Sequence, residues 1–188
     1  MRLLVRGGSI PAGVGVTRSY VDILRDFYSS KEMEVINRSR PRDNSFDGIR
    51  SFDEDIDPFR PEFLVLHFGI DDAFFPVYRS EFKENLVRIV GTARERFNPS
   101  IIMPTSHTFD DPYEMDALNI YYRTIREVCL DLSCEMIMLH LYWAGYLEEQ
   151  GLKNQDLLLH DARHPNERGH QVYAEALIAG LDRIMGLV

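Results

Sequence analysis

Phe63-Leu64-Val65-Leu66-His67-Phe68-Gly69 is the stretch on which the fold turns. An apolar run this short, interrupted only by His67 and closed by a glycine, reads as a strand buried on both faces. Strands of that kind belong to parallel sheets covered by helices. The same pattern repeats on either side of it. Arg2 to Arg6 reads as a strand before a glycine turn, Met33 to Asn37 as a second, Ile101-Ile102-Met103 as a fourth ended by Pro104, and Glu135 to Leu139 as a fifth. Amphipathic stretches fill the gaps. Thr17 to Tyr28 carries Tyr20, Val21, Leu24 and Phe27 at helical spacing, with Thr17 as candidate N-cap. Phe46 to Phe52 reads as a short helix, and Ser80 to Phe97 as a long one capped by Ser80. Asp111-Pro112 opens a helix to about Leu132, Tyr142 to Gln150 forms another, and Asn166 to Met185 is the last. The expected fold is α/β: a five-stranded, mainly parallel sheet with helices on both faces, within one domain over residues 1–188.

The chain has 188 residues and a net charge of −9, from 21 basic and 30 acidic side chains. That balance argues against nucleic acid as a partner, because phosphate contacts need a basic patch. No apolar stretch is long enough for a membrane span. The N-terminus lacks the apolar core and cleavage site of a signal peptide. The two cysteines, Cys129 and Cys134, have neither CxxC nor zinc spacing and read as reduced thiols, so a cytoplasmic location is expected. The expected partner is a small molecule; oligomeric state carries no signal.

In open α/β sheets, ligands bind beyond the carboxyl ends of the strands. Ser9, the segment Asn37 to Asp43, Gly69 to Asp72, and Thr105 to His107 all follow strands and share that rim by topology. The long, charged stretch from about Arg38 to Pro61 is a candidate border of the site. Ser9 sits on the glycine turn Gly7-Gly8-Ser9-Ile10, which leaves a hydroxyl uncovered; the plain alternative is a turn residue. Asp161 and His164, in Asp161-Ala162-Arg163-His164-Pro165, are three residues apart. At that spacing an aspartate accepts from imidazole Nδ1 and leaves Nε2 free as a base. The alternatives are a loop histidine with a capping aspartate, or a metal site that includes His160. His67 and His140 read as structural histidines, while His107 is a candidate pocket residue. Trp143, Tyr142 and Tyr146 read as core packing or pocket wall. Gly13-Val14-Gly15 lacks the third glycine of a dinucleotide fingerprint, and no Walker A loop is present.

Taken in order, these blocks resemble the SGNH (GDSL-type) hydrolase family over nearly the whole chain. Gly7-Gly8-Ser9 is similar to the family's Gly-Asp-Ser, with Gly8 in the aspartate place; Gly69-Ile70-Asp71-Asp72 is similar to Gly-x-Asn-Asp; Asp161 to Pro165 matches Asp-x-x-His-Pro. The second block falls at Asn37 to Asp43. The resemblance implies a three-layer α/β/α sandwich of flavodoxin-like type. It also implies ester hydrolysis through an acyl-serine, with Ser9 as nucleophile, His164 as base and Asp161 as its orienter. No cofactor is implied. The family's oxyanion donors are the serine N–H, a glycine N–H in the second block and an asparagine side chain in the third. Arg42 and Asp71 stand at the last two positions. Losing one such donor costs about 3–4 kcal/mol of transition-state stabilisation. Two compensations are expected: a protonated Asp71 that donates, or an Arg42 guanidinium paired with Asp71. The alternative is an impaired relative that keeps the fold as a ligand- or partner-binding protein.

Overall fold

The computed structural model describes residues 1–75 and 77–187. At its centre is a parallel sheet of β1 (Arg2–Gly7), β2 (Glu34–Asn37), β3 (Phe63–His67), β4 (Ser100–Pro104) and β5 (Glu135–Ile137), in the order β2-β1-β3-β4-β5. Every strand pair is parallel. The helices are α1 (Tyr20–Tyr28), α2 (Ser45–Arg50), α3 (Phe52–Asp55), α4 (Ile70–Phe74), α5 (Arg79–Arg96), α6 (Pro112–Asp131), α7 (Leu139–Gln150), α8 (Asn154–Leu157) and α9 (Glu167–Met185). Side chains alternate across a strand, so each strand feeds two cores. Leu3, Val5, Val65 and Ile102 pack beneath α1, α7 and α9. Leu4, Leu64, Leu66 and Met103 pack beneath α5 and one side of α6. The result is the α/β/α sandwich with both sheet faces covered.

The chain leaves β1 toward β2 and then crosses to β3 on the opposite side. The carboxyl ends of β1 and β3 therefore flank the point where strand order reverses, where a crevice forms. Gly7 pairs with His67 there. A Cβ on Gly7 would lie 2.2 Å from the His67 carbonyl oxygen, so only glycine allows these strand ends to close.

Arg6 is fully buried at the end of β1. A buried guanidinium requires counter-charges, and the loop after β2 supplies them. Arg6 Nη2 donates to Asp43 Oδ2 at 2.5 Å and to Ser51 Oγ at 3.0 Å, and its Nε lies 3.5 Å from Asp55 Oδ2. Arg38 and Arg40 each reach Asp55 Oδ1 at 2.8 Å. This network pins the loop of residues 38–44 over the end of β1.

Helix starts differ from the expected ones for local reasons. Ser19, rather than Thr17, caps α1: its side chain accepts from Asp22 N, and Asp22 reaches back to Ser19 N. Thr17 instead donates its N–H and hydroxyl to Glu167 Oε1 at 2.9 and 2.8 Å, tying the first loop to α9. Helix α5 begins at Arg79, before the expected cap Ser80. Helix α7 begins at Leu139, because Leu139 and Trp143, one turn apart and both fully buried, form its inward stripe. Asp111 caps α6 as expected.

Three histidines lie inside. His67 bridges Tyr20 Oη at 2.7 Å and Ser106 Oγ at 3.0 Å. His170 Nδ1 accepts from Tyr20 N at 3.1 Å. His107, expected as a pocket residue, is fully buried against Phe109 and Trp143, with Nδ1 2.7 Å from Tyr173 Oη. The Tyr173 hydroxyl draws it inward from α9. Burial lowers His67 and His107 from 6.5 to about 3, and His170 to about 4.

All three histidines are neutral in the folded state, so they add no acid sensitivity above pH 6.5 and must be charged on unfolding below it. Each adds a stability loss of up to about 1.4 kcal/mol per pH unit as pH falls from the unfolded toward the folded value. The thermal midpoint is expected to hold near pH 7 and fall steeply below 6.5, with a shallower fall in His67→Gln. An equal fall in that variant would show that His67 does not contribute to the acid loss. For the buried network, Arg6→Met is expected to cost about 3 kcal/mol in urea unfolding, because it strands Asp43 while Asp55 keeps Arg38 and Arg40. A loss below about 1 kcal/mol would show that the network does not hold the loop.

Candidate active site

Ser9 follows β1 on a tight turn in which Ala12 N donates to Gly8 O and Val14 N to Ser9 O, both at 3.2 Å. The residue is almost wholly buried. Its N–H donates to Asp71 Oδ2 at 2.7 Å, and its hydroxyl donates to Asp71 Oδ1 at 2.7 Å. Its Oγ accepts from Arg42 N at 2.9 Å. Gly8 makes this packing possible: a Cβ there would sit 2.0 Å from Asp71 Oδ2 and 2.4 Å from Asp43 O.

Arg42 lies on the loop held by the Arg6 network. Its φ of +66° is left-handed, which costs a non-glycine residue about 1–2 kcal/mol. That backbone turn aims the Arg42 N–H at Ser9 while the side chain is exposed. The expected pairing of Arg42 with Asp71 is not formed. Its guanidinium lies 5.9 Å from the Phe75 ring centroid, and it makes no ion pair among the described residues.

Asp71 and Asp72 both lie on α4, just past β3. Asp72 accepts from Ser45 N at 2.9 Å and Gly69 N at 3.0 Å, which joins α4 to the start of α2. Burial raises Asp72 to about 6. Burial also raises Asp71 above its usual 3.8, and Asp43 adds to the rise; the two Ser9 hydrogen bonds and His164 pull it down.

Asp161 and His164 occupy a small hairpin before α9. It is closed by the Leu158–Pro165 bridge and by Leu159 N donating to His164 O at 2.8 Å. Asp161 Oδ2 lies 2.6 Å from His164 Nδ1, and its other oxygen accepts from Arg163 N and His164 N. Burial works against the Asp161 charge, but these hydrogen bonds outweigh it and hold the carboxyl below 3.8. Among the described residues no group of three potential ligands is placed to hold a metal, so the His160-Asp161-His164 cluster does not form one.

Ser9, Arg42, Asp71, Asp161 and His164 all line one cavity of about 330 Å³, with apolar walls from Ile70 and Phe74 among others. The geometry departs from expectation at one contact. No hydrogen bond joins Ser9 to His164; the serine hydroxyl is turned to Asp71 instead. A wider depression of about 520 Å³ beside α6 includes Tyr122 and His140 but holds no candidate nucleophile. Sequence reasoning missed Arg6 and Asp43, which hold the Arg42 loop. The available signal was an arginine inside the apolar run Leu3-Leu4-Val5, which demands buried counter-charges.

No curated protein sequence matches the chain. Solved structures do. An acetylxylan esterase from Geobacillus stearothermophilus superposes with a TM-score of 0.81 at 20% identity, over 95% of this chain and 93% of that one. A catalytic mutant of the same enzyme gives 0.83 at 19% identity, with the same coverage. An alpha/beta hydrolase enzyme from the metagenome of Lake Arreo, Spain, gives 0.82 at 19% identity, over 95% and 94% of the two chains. At such identity these likenesses establish the fold. The sequence profile of the GDSL-like lipase/acylhydrolase family matches residues 5–172, nearly the whole chain. The chain, in which the turn of Ser9 and the Asp161–His164 hairpin open on one cavity, belongs to the GDSL-like lipase/acylhydrolase family of ester-bond hydrolases.

Proposed function

We propose that the chain, as a single catalytic domain, hydrolyses small carboxylic esters through an acyl-serine formed on Ser9. The observation that carries this reading is the Asp161–His164 pair at 2.6 Å, facing the same cavity as Ser9. With Nδ1 held by Asp161, His164 Nε2 is the free base. A turn of the Ser9 hydroxyl from Asp71 toward His164 starts the reaction. His164 takes the proton as Oγ adds to the ester carbonyl, and the oxyanion forms. Collapse expels the alcohol, protonated by His164; water then attacks the acyl-serine with His164 again as base. The N–H groups of Ser9 and Arg42 are the backbone donors for the oxyanion. No cofactor enters these steps.

The size and apolar walls of the cavity suit a short acyl group. One structural neighbour is an acetylxylan esterase, which makes acetylated carbohydrates a suitable first substrate class to assay. The acidic surface is consistent with a partner other than nucleic acid. The described helices include none long and apolar enough to cross a membrane. Cys129 and Cys134 are free thiols, which supports a reducing, cytoplasmic setting.

With p-nitrophenyl acetate, Ser9→Ala is expected to lower kcat by about 10,000-fold or more, and Asp161→Asn by about 1,000- to 10,000-fold. Turnover in Ser9→Ala equal to the wild type would refute the mechanism. Arg42→Gly keeps the backbone N–H and suits the left-handed turn, so its kcat is expected within about threefold of wild type. A 100-fold loss would move the role to the guanidinium, by the size of effect that losing one oxyanion donor has.

A further inference from the structure

Ser9 makes three hydrogen bonds, and none of them reaches the base. An ionised carboxylate is acceptor-only. Its bond with Ser9 Oγ therefore uses the proton that a base must remove. An asparagine at this position has a different pattern: its oxygen accepts from Ser9 N, its amide nitrogen donates to Ser9 Oγ, and the hydroxyl proton stays free. A protonated carboxyl has the asparagine pattern, with one oxygen accepting and the other donating.

We propose that Asp71 is a positioning residue that sets the state of the nucleophile. Carrying a proton, it leaves the Ser9 hydroxyl free to turn to His164; without one, it keeps the hydroxyl proton on its own oxygen and holds Ser9 idle. This inference rests on the Ser9–His164 mechanism proposed above. Gly8 is part of the same device, because any side chain there would displace the Asp71 carboxyl.

The groups around Asp71 set the balance. Asp43 from the loop after β2 opposes its charge, as does its own burial. His164 from the hairpin and the two Ser9 donors favour the charge. Asp72 neighbours it on α4, and Asp161 and Arg42 line the same cavity. As pH rises through the Asp71 value, the armed fraction falls about tenfold per unit.

The test is labelling by an alkyl fluorophosphonate, which reports on Ser9 whatever the natural ester is. The Ser9 Oγ–P bond forms, the P–F bond breaks, fluoride leaves, and the hydroxyl proton passes to His164. Rates for wild type, Asp71→Asn and Asp71→Ala are compared across the pH range of stable folding, alongside kcat and KM for p-nitrophenyl acetate. In wild type, labelling and kcat are expected to fall toward high pH. Both variants are expected to lose that fall, with Asp71→Asn at least about tenfold faster than wild type one unit above the transition. A flat wild-type profile overturns the proposal. So does slower labelling of both variants at every pH, which would make Asp71 itself the base. Should Asp71→Asn fail to fold, Asp71→Ala carries the comparison. Absence of any label on Ser9 in folded wild type would instead defeat the underlying mechanism.

Discussion

The site depends on the contact between β1 and β3 at their carboxyl ends. Gly7 faces His67 across the ladder, and the lack of a side chain there lets the strand ends close. Ser9 and Asp71 leave those two ends and meet at hydrogen-bond distance. His67, beneath them, carries the constraint inward through Tyr20 and Ser106. The other half of the site comes from the end of the chain. Thr17 bound to Glu167, and Tyr20 N bound to His170, fasten α9 to the segment that follows Ser9. The hairpin with Asp161 and His164 sits directly before α9, so the helix brings the pair to the crevice.

Charge organises the third side. Arg6 is buried where an apolar residue would pack at less desolvation cost. Its counter-charges, Asp43 and Asp55, lie on the segment that must cover β1. The ion pairs thus fix the path of a loop that has little apolar content of its own. Arg42, held next to Asp43, adopts a left-handed backbone and presents its N–H to Ser9. Stability of this network and geometry of the backbone donor are the same property of the loop.

The strands were legible because two-sided burial leaves near-continuous apolar runs, as at Phe63 to Phe68. Helix interiors were legible from their 3.6-residue spacing. The starts were less so: Thr17 and Ser19 both suit a cap, and the deciding partner was Asp22, three residues after Ser19. Topology placed the segments of Ser9, Arg42 and Asp71 on one rim, and they line one cavity. It could not give side-chain directions, which depend on distant partners. His107 follows β4 at the rim, but Tyr173 on α9 holds it inside. Ser9 faces Asp71 because the carboxylate and Gly8, separated by over sixty positions in sequence, fit one another.

Gly8 orders the mutational routes open to this site. The family's Gly-Asp-Ser block carries a carboxylate beside the nucleophile, whereas this chain carries one across from it. A Cβ at position 8 would lie 2.0 Å from Asp71 Oδ2, and an asparagine at 71 in the same pose is no smaller. Loss of charge at 71 in this pose therefore does not by itself reopen position 8; the side chain at 71 must take another pose. Positions 8 and 71 therefore share one volume, and the size of one side chain sets the pose open to the other.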